Sequence, residues 1–159
     1  MNYLIREMTA REYSLLADFL YEALFIPEGA EKPPRKIIER EELQVYIKDF
    51  GTKKDDHCLV AECGGKLIGA CWARIMDDYG HIDDATPSFA VSLYEGYRGH
   101  GIGTELMRRM LELLNSKGYK RASLAVQKEN YAVSMYRKVG FEIVGENEQE
   151  YIMLCRLGG

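Results

Sequence analysis

The sequence predicts a single α/β domain, on three observations. Short strand-like runs alternate with apolar stretches of helical period from one end to the other. No linker, repeat or low-complexity tract interrupts them. A length of 159 residues suits one domain with a sizeable core, so residues 1–159 are read as that domain.

Residues 2–8, NYLIREM, alternate apolar and polar side chains and read as a first strand. Thr9 and Glu12 have capping-box spacing. Leu15, Leu16, Phe19, Leu20 and Leu24 then follow at helical intervals. Pro33 and Pro34 cannot continue that helix. A second helix is predicted over residues 37–50, ending near Gly51. HCLVAEC and KLIGACWARIM are two strands joined by Gly64-Gly65, a tight-hairpin pair. DDYGHIDDATP is a polar connection to a fourth strand, SFAVSLY. In IGTELMRRMLELLNSKG, Ile102, Leu106, Met110 and Leu113/Leu114 share one helix face, and Gly118 is the stop. RASLAVQ is a fifth strand. NYAVSMYRKVG is a short helix with Asn130 as N-cap and Gly140 as stop. FEIVGENEQEYIMLCRL closes the chain as a hairpin.

The formal charge of −4 disfavours a nucleic-acid partner and favours cationic ones. No apolar run approaches the roughly 20 residues of a membrane span. The start, MNYLIREMTAREY, has no signal-peptide apolar region, and a cytoplasmic protein is expected. Cys58, Cys63, Cys71 and Cys155 lie in strand-like runs and are expected to be free, buried thiols. His57, Cys58 and Cys63 lack metal-ligand spacing, and no metal is expected.

YRGHGIG, residues 97–103, places three alternating glycines between a strand and a helix N-terminus. The first amides of a helix have no intrahelical partner, and the helix dipole adds positive potential there. Glycines let an anion approach those amides without meeting a Cβ, so the stretch points to a phosphate or diphosphate. It is not a P-loop, because no G-K-[ST] follows. It is not a dinucleotide fingerprint either, because the third glycine position from Gly99 is Thr104.

Arg98-Gly99-His100-Gly101-Ile102-Gly103 is similar to the R/Q-x-x-G-x-G/A motif of the GNAT superfamily of N-acetyltransferases. ENYAVSMYRKVGF resembles that family's later signature, and GGKLIGACWARI its central hairpin. The element order is also similar, although the specific part lies between Phe89 and Phe141. The resemblance implies a mixed, mostly antiparallel sheet of about seven strands, splayed between the fourth and fifth and flanked by about four helices. Acetyl-CoA would be the co-substrate. Its pantetheine would lie along the main chain of Val91 and Leu93, and its pyrophosphate on the amides of Gly99, His100, Gly101, Ile102, Gly103 and Thr104. Arg98 and Asn130 would add contacts, and one of Arg108, Arg109, Lys117, Lys120 or Arg121 a contact to the 3′-phosphate. The implied reaction is direct attack of a primary amine on the thioester.

By the same resemblance, a main-chain N–H near Val91 is the oxyanion donor and Tyr136 the general acid for the departing thiolate. Ordinary pKa values of about 10 for tyrosine and about 8.5 for a thiol make that transfer reasonable. The family often places a glutamate on the fourth strand as base, whereas this chain reads DDATPSFAV there. Asp84 and Asp83 lie nearest, and Glu22 or ordered water are alternatives. Neutralising a lysine-like amine at pH 7.4 costs roughly 4 kcal/mol, whereas an α-amine costs less than about 1 kcal/mol.

Asp77, Asp78, Asp83, Asp84 and Glu95 form an acidic stretch that either attracts a cationic acceptor or is a hydrated loop. Trp72 and the hairpin faces are the candidate surface for a homodimer. Two rival readings remain: an acyl-CoA-binding module without catalysis, and an O-acyltransferase or longer-chain acyltransferase.

Overall fold

The computed structural model describes residues 2–158. Its strands are β1 (Leu4–Glu7), β2 (His57–Cys63), β3 (Lys66–Arg74), β4 (Ser88–Leu93), β5 (Arg121–Gln127), β6 (Glu142–Glu146) and β7 (Glu150–Arg156). Its helices are α1 (Leu16–Ala23), α2 (Glu41–Gln44), α3 (Ile102–Ser116) and α4 (Ala132–Lys138). The strands form one sheet in the order β1-β2-β3-β4-β5-β7-β6. Every neighbouring pair is antiparallel except β4 and β5, which are parallel. This is the mixed sheet the sequence led us to expect. Among the described residues no helix is long and apolar enough to cross a membrane.

Two apolar cores form because both sheet faces are covered. On one face α3 seats Ile102, Leu106, Met107, Met110 and Leu114 without exposure, together with Phe89, Leu124 and Met153. On the other, Leu16, Phe19 and Leu20 of α1 pack with Ile38, Phe50 and Trp72. β3 passes between the two and is buried from Leu67 to Arg74, which explains its nearly continuous apolar sequence. Gly64 and Gly65 both have positive φ (59° and 81°), as a two-residue hairpin loop demands.

The predicted helix over residues 37–50 is not one helix. Arg35–Glu39 is a 3-10 turn, Arg40 is extended, α2 covers four residues, and turns follow to Phe50. The carbonyls that a longer helix would use are taken by buried side chains of β3. Arg74 donates to Val45 O (3.2 Å) and Lys48 O (2.8 Å), and Trp72 Nε1 donates to Tyr46 O (3.1 Å). The same bond places Trp72 in the interior, fully buried, so it is not part of any surface for a second copy. The four cysteines are free; three are buried and Cys63 half-buried.

Arg74 also forms a two-bond ion pair with Asp56 (3.0 and 3.1 Å), and both side chains are almost completely buried. Removing one member strands the other charge away from water. Arg74→Ala is expected to lower the unfolding free energy by about 3–5 kcal/mol, read by urea unfolding.

Candidate active site

β4 pairs with β3 along its whole length but meets β5 only at Ser88 opposite Ser123. Beyond that point the parallel strands part. Tyr94 N–H donates to Ile68 O (3.0 Å), and antiparallel pairing alternates. The N–H and C=O groups of Val91 and Leu93 therefore face away from β3, into the gap. The Val91 groups and the Leu93 N–H thus have no strand partner on that side.

A cleft of about 840 Å³ opens there. Its walls are Val91 to Leu93, the turn carrying Arg98, Gly99, Gly101, Gly103 and Thr104, α4 with Ala132, Met135 and Tyr136, and the segment from Glu22 to Ile26. The two sequence signatures are thus brought to one place. Gly99 and Gly101 have φ of 80° and 82°, in the left-handed region. A Cβ on either would meet no protein atom within 4 Å. Backbone conformation, not crowding within the protein, requires these glycines, and the space over them stays open. Ile102, fully buried, anchors the first turn of α3 in the core. The first intrahelical bond of α3 runs from Glu105 N–H to Gly101 O (3.1 Å), leaving the Ile102, Gly103 and Thr104 amides without such partners. The His100 side chain is exposed and does not line the cleft.

Arg98 is not a free cation. Its Nε donates to Leu93 O (3.0 Å), and its Nη2 donates to Glu22 O (3.1 Å) and pairs with the Glu22 carboxylate at 3.4 Å. It ties the end of β4 to α1 and leaves Leu93 with only its N–H to offer. Asn130 Oδ1 accepts from Ala132 N–H (2.9 Å), the expected cap of α4.

Tyr136 is 9% exposed and stacks edge-on against Phe141. Among the described residues its hydroxyl has no hydrogen-bond partner, yet it is not a sealed polar atom, so it is reached from the cleft. Burial first, and Cys71 second, push the phenol above its ordinary pKa. It therefore holds its proton across the neutral range.

Asp84 does not reach this cleft. It is 98% exposed beside His81 and lines a second cleft of about 750 Å³ with Lys54, Lys117 and Lys120. Asp83 is paired with Arg121. The connection carries both away from the parted edge, so the geometry does not supply the base expected there. Glu22, by contrast, stands in the cleft wall. The sequence reading missed the segment Ala23–Ile26 and Tyr131, which is 78% exposed at the rim. The run from Leu24 to Ile26 looked like a helix end, and only the neighbour Asn130 pointed toward Tyr131.

A seven-stranded sheet parted beside a glycine turn and a helix start defines the fold class, an α/β domain with one parallel pair in an otherwise antiparallel sheet. Comparison with known proteins assigns the particular family: the model of the acetyltransferase (GNAT) family matches residues 17–141, and the chain belongs to that family. It is 32% identical to N-acetyltransferase 8 of Mus musculus over 128 residues, which are 78% of this chain and 56% of that protein. It is 35% identical to mycothiol acetyltransferase of Corynebacterium efficiens over 81 residues, 50% of this chain and 26% of the other. The chain spans between 26% and 60% of the length of the curated relatives it matches. The PaiA N-acetyltransferase of Thermoplasma acidophilum, solved in complex with coenzyme A, superposes with a TM-score of 0.72 at 20% identity, over 98% of this chain and 99% of that one. That likeness is one of fold.

The left-handed φ of Gly101 gives a direct test of the turn. Gly101→Ala is expected to cost about 1–2 kcal/mol in urea unfolding, because a Cβ is disfavoured there by backbone sterics alone. Gly96→Ala, with open space and no left-handed φ, is expected to be near neutral.

Proposed function

We propose that the chain transfers an acetyl group from acetyl-CoA to a primary amine. One observation carries this reading: the unpaired edge of β4, the glycine turn at the start of α3 and the unpartnered Tyr136 hydroxyl share one cleft. The residues fit the group. Val91 and Leu93 offer strand-edge hydrogen bonds to an amide-bearing arm. The Ile102, Gly103 and Thr104 amides offer an anion site with open space above Gly99 and Gly101. The relative solved with coenzyme A has the same fold.

Acetyl-CoA supplies a thioester-activated acyl group. Val91 N–H donates to the carbonyl oxygen as negative charge develops on it. Tyr136 donates its proton to the departing sulfur. Leu93 N–H and the cap residue Asn130 hold the arm in register, and Arg98 keeps the end of β4 fastened to α1 so that the gap does not close.

Thermal unfolding with acetyl-CoA, beside ATP and NAD, is the first test. A rise specific to acetyl-CoA is expected; equal or larger rises with ATP or NAD would count against the reading. Tyr136→Phe should lower kcat about 10²–10⁴-fold with little change in acetyl-CoA affinity. Gly101→Glu should weaken that affinity through bulk and negative charge. Tight binding without turnover of any amine would instead mark a binding module, and turnover of hydroxyl acceptors an O-acyltransferase.

A further inference from the structure

The second cleft opens where β2 and β5 begin and α3 ends, and its lining includes Ile75 and the buried Thr86. α3 runs between the two clefts: Gly103 and Thr104 line the first, Lys117 and Gly118 the second. The stretch from Gly103 to Lys117 is about 20 Å long, and no residue lines both clefts. Lys117, Lys120 and Arg121, which the sequence offered as contacts for a 3′-phosphate, stand in the second cleft and not in the first.

Cations outnumber carboxylates in this lining: Lys54, Lys117, Lys120 and Arg121 against Asp55 and Asp84. The chain as a whole carries a charge of −4, so the local sign is opposite to the global one. Both carboxylates are committed. Asp55 accepts from the Tyr119 hydroxyl, and Asp84 stands 3.5 Å from His81. Arg121 is paired with Asp83. Among the described residues Lys54, Lys117 and Lys120 have no ion-pair partner. Nor are they spent on the end of α3. The carbonyls of Leu113, Leu114 and Asn115 accept from the amides of Lys117, Gly118 and Tyr119, in a turn that the left-handed φ of Gly118 (92°) allows.

A half-buried histidine adds a directed group. His57 Nε2 lies 3.2 Å from the Tyr119 hydroxyl, and the two rings meet edge to face with centroids 5.7 Å apart. An ionised Asp55 only accepts, so the Tyr119 proton points to Asp55 and the Tyr119 oxygen accepts from His57 Nε2–H. Nδ1 is left over. Among the described residues it has no partner, yet it is not a sealed atom, so it is reached from the cleft that His57 lines. Burial first, and the charge of Lys117 second, hold this imidazole below its ordinary pKa. In the neutral ring Nδ1 is an acceptor without a donor. An anion beside it favours the imidazolium and makes Nδ1 a donor.

We propose that this cleft is a second binding site, for a small molecule carrying a phosphate group, with charge from Lys54, Lys117 and Lys120 and a directed hydrogen bond from His57 Nδ1. Lysines meet phosphate as point charges on flexible stems, which suits three that come from the loops flanking the cleft. A volume of about 750 Å³ accommodates an organic phosphate and not only the ion. The site does not depend on acetyl transfer.

In the test, inorganic phosphate and glucose 6-phosphate are titrated separately into the protein at constant ionic strength, with saturating acetyl-CoA to fill the first cleft. Should acetyl-CoA not bind, Gly101→Glu blocks the glycine turn instead. The His57 and Tyr119 ring signals are followed by NMR. Saturable shifts of both are expected, with the His57 titration displaced to higher pH by the bound anion. The other charges that bear on this ring, Glu7, Asp55, Asp56 and Lys117, are present with and without the anion, so the displacement reports the ligand. Tighter binding of glucose 6-phosphate marks an organic occupant and equal affinity the free ion; either supports the site. Lys117→Ala with Lys120→Ala removes two exposed side chains and should weaken binding about tenfold. Arg108→Ala with Arg109→Ala removes the same charge from α3 outside the cleft and should leave the affinity unchanged. Absence of saturable shifts at millimolar concentration overturns the inference. An equal loss in both double variants overturns it too, since that is the mark of a diffuse field and not of a site.

Discussion

The structure depends on the single parallel contact between Ser88 and Ser123. A sheet normally satisfies its backbone groups by continuing its ladder. Here the ladder stops after one pair, and side chains hold the stopping point. Ser123 N–H donates to Pro87 O (3.0 Å), Ser123 Oγ to Gly80 O, and Ser88 Oγ to Asp78. Because these bonds close the root of the gap, the open part needs no strand partner to stay in place. α3 and α4 fill one side of it and α1 the other. The cleft is thus a product of sheet topology rather than of a mobile loop.

On the α3 side of the gap the first amides of the helix have no intrahelical partner, and Arg98 is occupied with Leu93 and Glu22. At the closed root of the gap the Ser88 hydroxyl is itself occupied, donating to the Asp78 carboxylate, which also accepts from Tyr46. Backbone donors, not the occupied Arg98 guanidinium, therefore border the open part at the start of α3.

Most of the fold was legible in the sequence because local rules and tertiary packing agree there. The hairpin at Gly64-Gly65, the stops at Gly118 and Gly140, the cap at Asn130 and the apolar face of α3 all appear where their chemistry placed them. The stretch over residues 37–50 was misread because its apolar spacing suits a helix, whereas its carbonyls are claimed by Arg74 and Trp72 of β3. No local pattern reveals a competitor that lies 26 residues away (Tyr46 to Trp72, Lys48 to Arg74).

The cleft divides along the same line. Arg98 to Thr104, and Asn130 to Tyr136, declare themselves by sequence, since backbone conformation at a glycine turn and the capping of a short helix are local properties. By itself the sequence determined the element order, the glycine turn before α3 and the tyrosine signature. It could not separate Asp78 from Asp77, Asp83 and Asp84, because four carboxylates in one polar connection look alike until the chain is folded. Only the tertiary structure turned Asp83 toward Arg121, left Asp84 in solvent and set Asp78 under Ser88. Gly80 packs against β5 and bends the connection there, and burial then makes one aspartate different from its neighbours.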